Sequence, residues 1–493
     1  MRKKYILSID QSTQGTKALL FDKEGNMLAR ADLAHQQMVN EVGWVSHDLQ
    51  EIYDNTLRAI SEAVEKAGID KEEIAGMGIS NQRETSAIWD KQTGEPIEHA
   101  IVWQCARAKE FCQQVSQQGH TEMIFQKTGL PLSPYFPASK FAWLLENVPR
   151  AREKSEQNEL LFGTIDTWLI YKLTEGTSYK TDYSNASRTQ LMNLKTLKWD
   201  TEVCSLFGIK AEQLAEICDS NAEFGETNLA GYLETPIPIR GVLGDSHGAL
   251  FGQGCLQKGM IKCTYGTGSS IMMNIGESLV LSKHGIVTSL AWGIDGKVNY
   301  VLEGNINYTG AVIRWLQEDM GLINSATETE ALAKSANPVD KTYFVPAFTG
   351  LGAPYWDSEA KANISGISRT TGKAELVRAA LDSIAYQITA VLEAMQQDTG
   401  VPIKELRADG GPTRNTYLMQ FQSNIGQMKV RVPEAEELSG IGAAYMVGLT
   451  LDIFPKNIHN KIQGRDFFPQ GEHTWREEKY QGWKAAVQMI LTK

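Results

Sequence analysis

The chain has 493 residues, 22% of them charged, a formal net charge of −11, and no apolar run approaching the ~18 residues of a membrane span. An acidic balance makes a nucleic-acid backbone an unsuitable partner, and no block of like charge forms a tail. The composition is that of a globular protein long enough for two large or three average domains.

The start, "MRKKYILSID", has basic residues like a secretory leader, but its apolar stretch ends after three residues at Ser8. The six cysteines (Cys105, Cys112, Cys204, Cys218, Cys255 and Cys263) form no C-x-x-C pair and no metal-ligand rhythm. Reduced, buried or half-buried thiols in a cytoplasmic protein are the expectation.

"YILSID" and "TKALLFD" are two short apolar runs that predict a β-hairpin, with "KEGN" as the turn after it. Asp48 then starts a helix, with Glu51 as its capping-box partner. Ile52, Leu57, Ile60 and Val64 mark one apolar face, and Gly68 ends it. "IAGMGIS" predicts a buried strand after that helix. Midway along the chain lies "GDSHGALFGQG" (244–254), in which Asp245 could be a loop acid, a metal ligand or a base. From Ile261, "IKCTYGTGSSIMMNIGES" predicts a second hairpin of similar shape. Residues 373–395 form an amphipathic helix, with Ile384, Ile388, Val391 and Met395 on one stripe. "LRADGGPTRN" (406–415) is a strand entering a glycine turn. "SGIGAAYMVGL" (439–449) is a small-residue helix suited to close packing on something flat. Alternating strands and helices give an α/β class. Two halves meet near 245–255 without a low-complexity linker, with expected domains at 1–248 and 249–493.

"DQSTQGTKA" (10–18) ends a strand in a carboxylate and follows it with a hydroxyl-rich turn and a cation, Lys17. Backbone N–H groups, hydroxyls and a cation are the parts that hold phosphate oxygens, and Asp10 could hold Mg²⁺ through water. "TYGTGSS" (264–270) offers the same turn without an acid, and "DGGPTRN" (409–415) a third that could lie against a flat ring. No G-x-x-x-x-G-K-[ST] or G-x-G-x-x-G followed by a suitable acid is present, so neither a P-loop nor a Rossmann site is supported. One phosphate turn per half points to a nucleotide held in a cleft between them.

Several longer segments carry a resemblance: "SNQRETSAIWDKQTGEPIEHAIVWQ" (80–104), "GTIDTWLIYKLT" (163–174), "YSNASRTQLMNL" (183–194), "FVPAFTGLGAPYWD" (344–357) and "LMQFQSNI" (418–425). In this order, with "DQSTQGTKALLFD" and "TYGTG", they resemble the FGGY carbohydrate kinases over nearly the whole length, and within them the glycerol kinases most. The resemblance implies two actin-like, ribonuclease H-like ATPase domains closing on ATP and a substrate. It makes Asp245 the catalytic base and Asp10 the Mg²⁺-associated acid. Thr13, Lys17, Gly266, Thr267, Gly310, Ile313, Gly410, Gly411 and Asn415 fall to ATP. Arg83, Glu84, Trp103 and Tyr135 fall to the substrate, with Asp245, Ser246 and Ser270. Dimers and tetramers are common in such families.

The residue chemistry agrees. On their own, Arg83 and Glu84 read more readily as a surface ion pair; within the matched segment, a donor and an acceptor can bridge a vicinal diol. Trp103 and Tyr135 offer apolar faces to C–H groups. Several departures from glycerol kinases stand out, among them Cys105 where they carry an Asp. Lys17 replaces an Arg, which loses bidentate geometry. Ser246 replaces a Gln and Ser270 a Phe, which enlarges the pocket and adds hydroxyls. A substrate larger than glycerol, such as a tetritol, a pentitol or a small ketose, is therefore expected, with a pentulose kinase as the alternative. His247 is left to a structural role beside the hinge.

Overall fold

A computed structural model describes residues 3–492. The first half is built on a six-stranded sheet. Its strands are β1 (Tyr5–Gln11), β2 (Gly15–Phe21), β3 (Met27–Ala34), β4 (Ile74–Asn81), β5 (Glu226–Thr227) and β6 (Ile237–Gly244), in the order β5-β6-β4-β1-β2-β3. β1, β4 and β6 are parallel, while β1-β2-β3 is an antiparallel meander. The second half repeats this plan on seven strands. They are β7 (Ile261–Tyr265), β8 (Ser269–Gly276), β9 (Val287–Ile294), β10 (Lys297–Ile306), β11 (Glu405–Asp409), β12 (Lys429–Pro433) and β13 (Gly464–Phe467), ordered β9-β10-β8-β7-β11-β12-β13. Here β7, β11 and β12 are parallel, and β7-β8-β10-β9 is the antiparallel part, with β9 outside β10 at the edge. Both expected hairpins are present, and each half presents the same parallel core beside an antiparallel edge, as an actin-like pair does.

The predicted helices form. α1 (Leu49–Ala67) starts at Asp48, whose carboxylate accepts from the N–H groups of Gln50 and Glu51, and stops at Gly68 in the left-handed region (φ 63°). The expected capping box does not close. Glu51 accepts from the backbone N–H of Gln36 at 3.1–3.2 Å, because the loop before α1 carries an N–H in need of a partner. The stripe at 384–395 lies within a longer helix, Lys373–Thr399, and its four apolar residues are fully buried. All six cysteines are free thiols, five of them buried.

Two short elements join the halves. α2 (Asp245–Gly252) follows β6 directly and spans the expected boundary near 248. The small-residue helix α3 (Leu438–Thr450) comes from the second half but packs on β1, β4 and β6 of the first sheet and on α2. Its glycines allow this, since a Cβ on Gly442 would sit 1.9 Å from the Gly248 carbonyl oxygen. One apolar cluster takes Ile6, Leu19, Leu243 and Phe251 from one side and Met272, Trp292 and Val447 from the other. No helix among the described residues is long and apolar enough to cross a membrane.

Candidate active site

Parallel strands bring their carboxyl ends to one edge, where α/β sheets bind ligands. β1 ends at Asp10–Gln11 and runs into the turn carrying Thr13. β4 ends at Asn81, just before Arg83 and Glu84. β6 ends at Gly244, just before Asp245 and Ser246. Three stretches far apart in the chain are therefore side by side for a topological reason. Gly244 must be glycine, since a Cβ there would meet the Arg83 side chain at 2.7 Å.

Arg83 is the centre of the site. Its Nη1 and Nη2 donate to the two oxygens of Glu303 at 2.9 Å each, a fork-to-fork pair. Its Nε donates to Asp245 Oδ1 at 3.1 Å, and Nη2 reaches Ser246 Oγ at 3.3 Å. Glu303 is on β10 of the other half and also faces Arg188 Nη1 at 3.0 Å and Ser270 Oγ at 3.4 Å. Arg188 in turn donates from Nε to Glu84 Oε1 at 2.6 Å and lies over the Phe136 ring. Burial pushes the Glu303 carboxyl up, but Arg188 and Arg83 outweigh it and hold it well below the usual carboxylate range. Arg83 and Glu84 thus form no surface pair with each other. Glu84 takes a positive φ of 61°, rare for a residue with a Cβ, and turns its carboxylate away to Arg188.

Asp245 differs from its neighbours in access. Its side chain is 38% exposed, against 6% for Arg83 and 0% for Glu303. Asp245 is held by Arg83 and by the Ser246 N–H at 2.6 Å, so it is oriented yet reachable. The aromatic wall is present: the Trp103 and Tyr135 rings lie 5.4 Å apart, and Trp103 Nε1 donates to Thr13 Oγ1 at 2.9 Å. Burial, with Glu84 beside it, keeps the Tyr135 phenol protonated. His247 is fully buried with both ring nitrogens unpartnered. Burial, then Arg83, keeps it neutral.

The side expected to take the nucleotide is built from backbone. Gly266, in the second turn, accepts from the Gly310 N–H at 2.9 Å, and Thr267 accepts from the N–H groups of Thr309 and Ala311 at 3.0 Å. A Cβ on Gly310 would lie 2.8 Å from the Gly266 oxygen, so the turn and the helix Gly310–Glu318 touch only because residue 310 is glycine. Gly310, Ile313, Gly411 and Asn415 line one cavity of about 510 Å³, with Arg314 and Leu418 among the residues unforeseen from sequence. Gly410 stands behind it at φ 97°, its Cα against the Tyr265 carbonyl.

Asp10 and Lys17 are cross-strand partners in the first hairpin. Burial pushes the Asp10 carboxyl up to about 6; Lys17 opposes this, while Asp245 and Glu437 add to it. Lys17 is drawn aside, because its Nζ bonds Glu437 Oε2 at 2.6 Å, and Arg30 holds the other Glu437 oxygen. Asp10 thus has two carboxylates, Asp245 and Glu437, near enough to raise it. Among the described residues, no group of three or more candidate ligands stands close enough to enclose a metal ion. That donor set suits Mg²⁺ carried largely by water and phosphates.

Sequence reasoning missed Glu303, Arg188 and Glu437. The available signal was a charged residue inside an apolar strand, "YVLEGNI", and inside the segment "NASRTQ". Both positions must be paired to be buried.

A reachable carboxylate beside two phosphate-type turns and a nucleotide-sized cavity, split across two halves, defines a two-domain phosphotransferase acting on a small molecule. Models of the FGGY family of carbohydrate kinases match residues 5–252 with the N-terminal domain and 261–451 with the C-terminal domain. The chain belongs to the FGGY carbohydrate kinases and is an ATP-dependent sugar or polyol kinase. It is 45% identical over 488 residues to a glycerol kinase of Staphylococcus haemolyticus, covering 98% of each chain. A glycerol kinase of Plasmodium falciparum, solved with ADP, superposes with a TM-score of 0.94 at 36% identity, over 99% of this chain and 98% of that one. A xylulose kinase of Lactobacillus acidophilus shares the fold at 22% identity (TM-score 0.89, 99% and 97% coverage).

Proposed function

We propose that this kinase transfers the γ-phosphoryl group of ATP to the terminal primary hydroxyl of a polyol, taking glycerol and favouring four- or five-carbon polyols. The likeness to glycerol kinases supports a polyol as acceptor. The observation that carries the size preference is the pair of small hydroxyl residues, Ser246 and Ser270, flanking the Arg83–Glu303 fork at 3.3 and 3.4 Å. Those bonds are long for hydroxyls, so substrate hydroxyls can replace them at small cost.

In the reaction, the acceptor hydroxyl oxygen attacks the γ-phosphorus, its proton passes to Asp245, and the bond to the β-phosphate oxygen breaks to release ADP. Arg83 fixes the direction of the Asp245 carboxylate. The Arg83–Glu303 fork presents donors and acceptors to neighbouring hydroxyls. Trp103 and Tyr135 cover the carbon chain and exclude water. Asp10, with Asp245 and Glu437 nearby, would hold Mg²⁺, which neutralises phosphate charge. Lys17 would exchange Glu437 for phosphate oxygens as the halves close.

The test is ADP release over glycerol, a tetritol, pentitols and pentuloses. A kcat/KM at least about tenfold higher for a longer polyol is expected, the worth of one or two added contacts. A clear preference for glycerol would remove the size argument, and a pentulose preference would remove the polyol.

A further inference from the structure

A second cavity, of about 570 Å³, lies past the C-terminal end of α2, the helix that begins at Asp245. Arg407, Arg431, Lys456 and His459 line it, and no carboxylate among the described residues does. In a chain of net charge −11 this is a concentrated positive site. Arg407 and Arg431 are direct partners across the parallel strands β11 and β12, an arrangement that repels unless an anion lies between.

The nearby acids do not neutralise it. Glu405 is shared between Arg407 at 2.8 Å and Lys429 at 3.0 Å, and Asp466 between Lys429 at 3.2 Å and Arg431 at 3.9 Å. Arg407, Lys429 and Arg431 thus share two carboxylates, and Lys456 adds a further positive charge to the cavity wall. The Arg431 guanidinium has only that 3.9 Å contact and a 3.5 Å approach to the Ile462 oxygen, both too long for good hydrogen bonds. His459 Nε2 is buried without a partner.

The cavity is wired to the active site. Arg407 donates to the Gln253 carbonyl, just past the end of α2, whose first residue is Asp245. The Gln253 amide donates to Asp409, next to Gly410 in the nucleotide wall.

We propose that this cavity binds a small molecule bearing a phosphoryl dianion, and that its occupancy alters ATP affinity through Gln253. Two guanidinium groups and an ammonium suit a doubly charged tetrahedral group, and the volume admits more than the bare ion. The binding readout holds whether or not the acceptor is a polyol.

Thermal unfolding of the full chain is followed with saturating ADP to fill the cleft, adding inorganic phosphate, pyrophosphate or a hexose phosphate. At tenfold excess over Kd, a Tm rise of roughly 2 °C is expected, lost in Arg431→Ala and in Lys456→Glu. Lys456 is exposed, so the second variant folds even if the first does not. The same probe should change the KM for ATP at least about twofold in the parent chain and not in the variants. A larger shift with hexose phosphate assigns the site to an ester, and an equal one to free phosphate. No shift with any probe, or the same shift in both variants, overturns the proposal.

Discussion

The proposed acceptor side and the proposed nucleotide side of this cleft are made of different materials. The acceptor side is a chain of buried charges, Arg83–Glu303–Arg188–Glu84, in which each ion is held by the next. The nucleotide side is backbone, with glycines at 266, 310 and 410 pressed against carbonyl oxygens. Recognition of hydroxyls calls for fixed donors and acceptors, and buried charges provide direction at the cost of desolvation. Phosphates and a flat ring call for N–H groups and open surface, which glycine provides at no cost in side-chain volume. The two sides should therefore fail in different ways.

The largest effect is expected on the charged side. Glu303→Ala leaves Arg83 and Arg188 buried without their shared partner and should destabilise the fold by about 3–5 kcal/mol, read by denaturant unfolding. A loss under about 1 kcal/mol would mean the network is not the frame of the site.

Asp10 comes next. Its carboxyl is raised to about 6 from 3.8, so between these values the folded state binds more protons than the unfolded one. Stability contributed by Asp10 is therefore present at low pH and lost as pH rises through about 6. Asp10→Asn should make the ligand-free protein more stable at pH 7 by up to about 3 kcal/mol while removing most activity. Equal stability of the two chains at pH 7 would show that Asp10 carries no stored cost.

The smallest effect is expected on the backbone side. Gly410→Ala puts a Cβ 2.0 Å from the Tyr265 oxygen at a positive φ. It should raise the KM for ATP by about tenfold, roughly 1–2 kcal/mol, and leave the acceptor KM unchanged. An acceptor KM that moved as far would erase the distinction between the two sides.

The same division governs what the sequence makes legible. Turns, caps and glycines are local, so the two hairpins, the Asp48 and Gly68 limits of α1, and the Gly310, Ile313, Gly411 and Asn415 part of the wall of the cavity expected to take the nucleotide can be read in order. The ion network is not local. Arg83 meets Glu303 across 220 residues, Arg188 meets Glu84 across 104, and Lys17 meets Glu437 across 420. Which charge pairs with which is set only when the fold brings these distant stretches together. The resemblance placed Arg83 and Glu84 at the site, yet their adjacency suggested a shared task, and the fold gives them different partners. The Glu51 capping box failed for a similar reason, since Gln36 competes for the carboxylate from outside the motif.

Asp245 belongs to neither side, being a carboxylate tied into the buried network and still reachable from the cleft. Single-turnover transfer by Asp245→Asn, with ATP and acceptor binding measured alongside, tests its role most directly. The amide keeps the shape but cannot take the proton, so transfer should slow by about 10²–10⁴-fold with ATP affinity within a few-fold of the parent. Transfer at near the parent rate would contradict the assignment of Asp245 as the base.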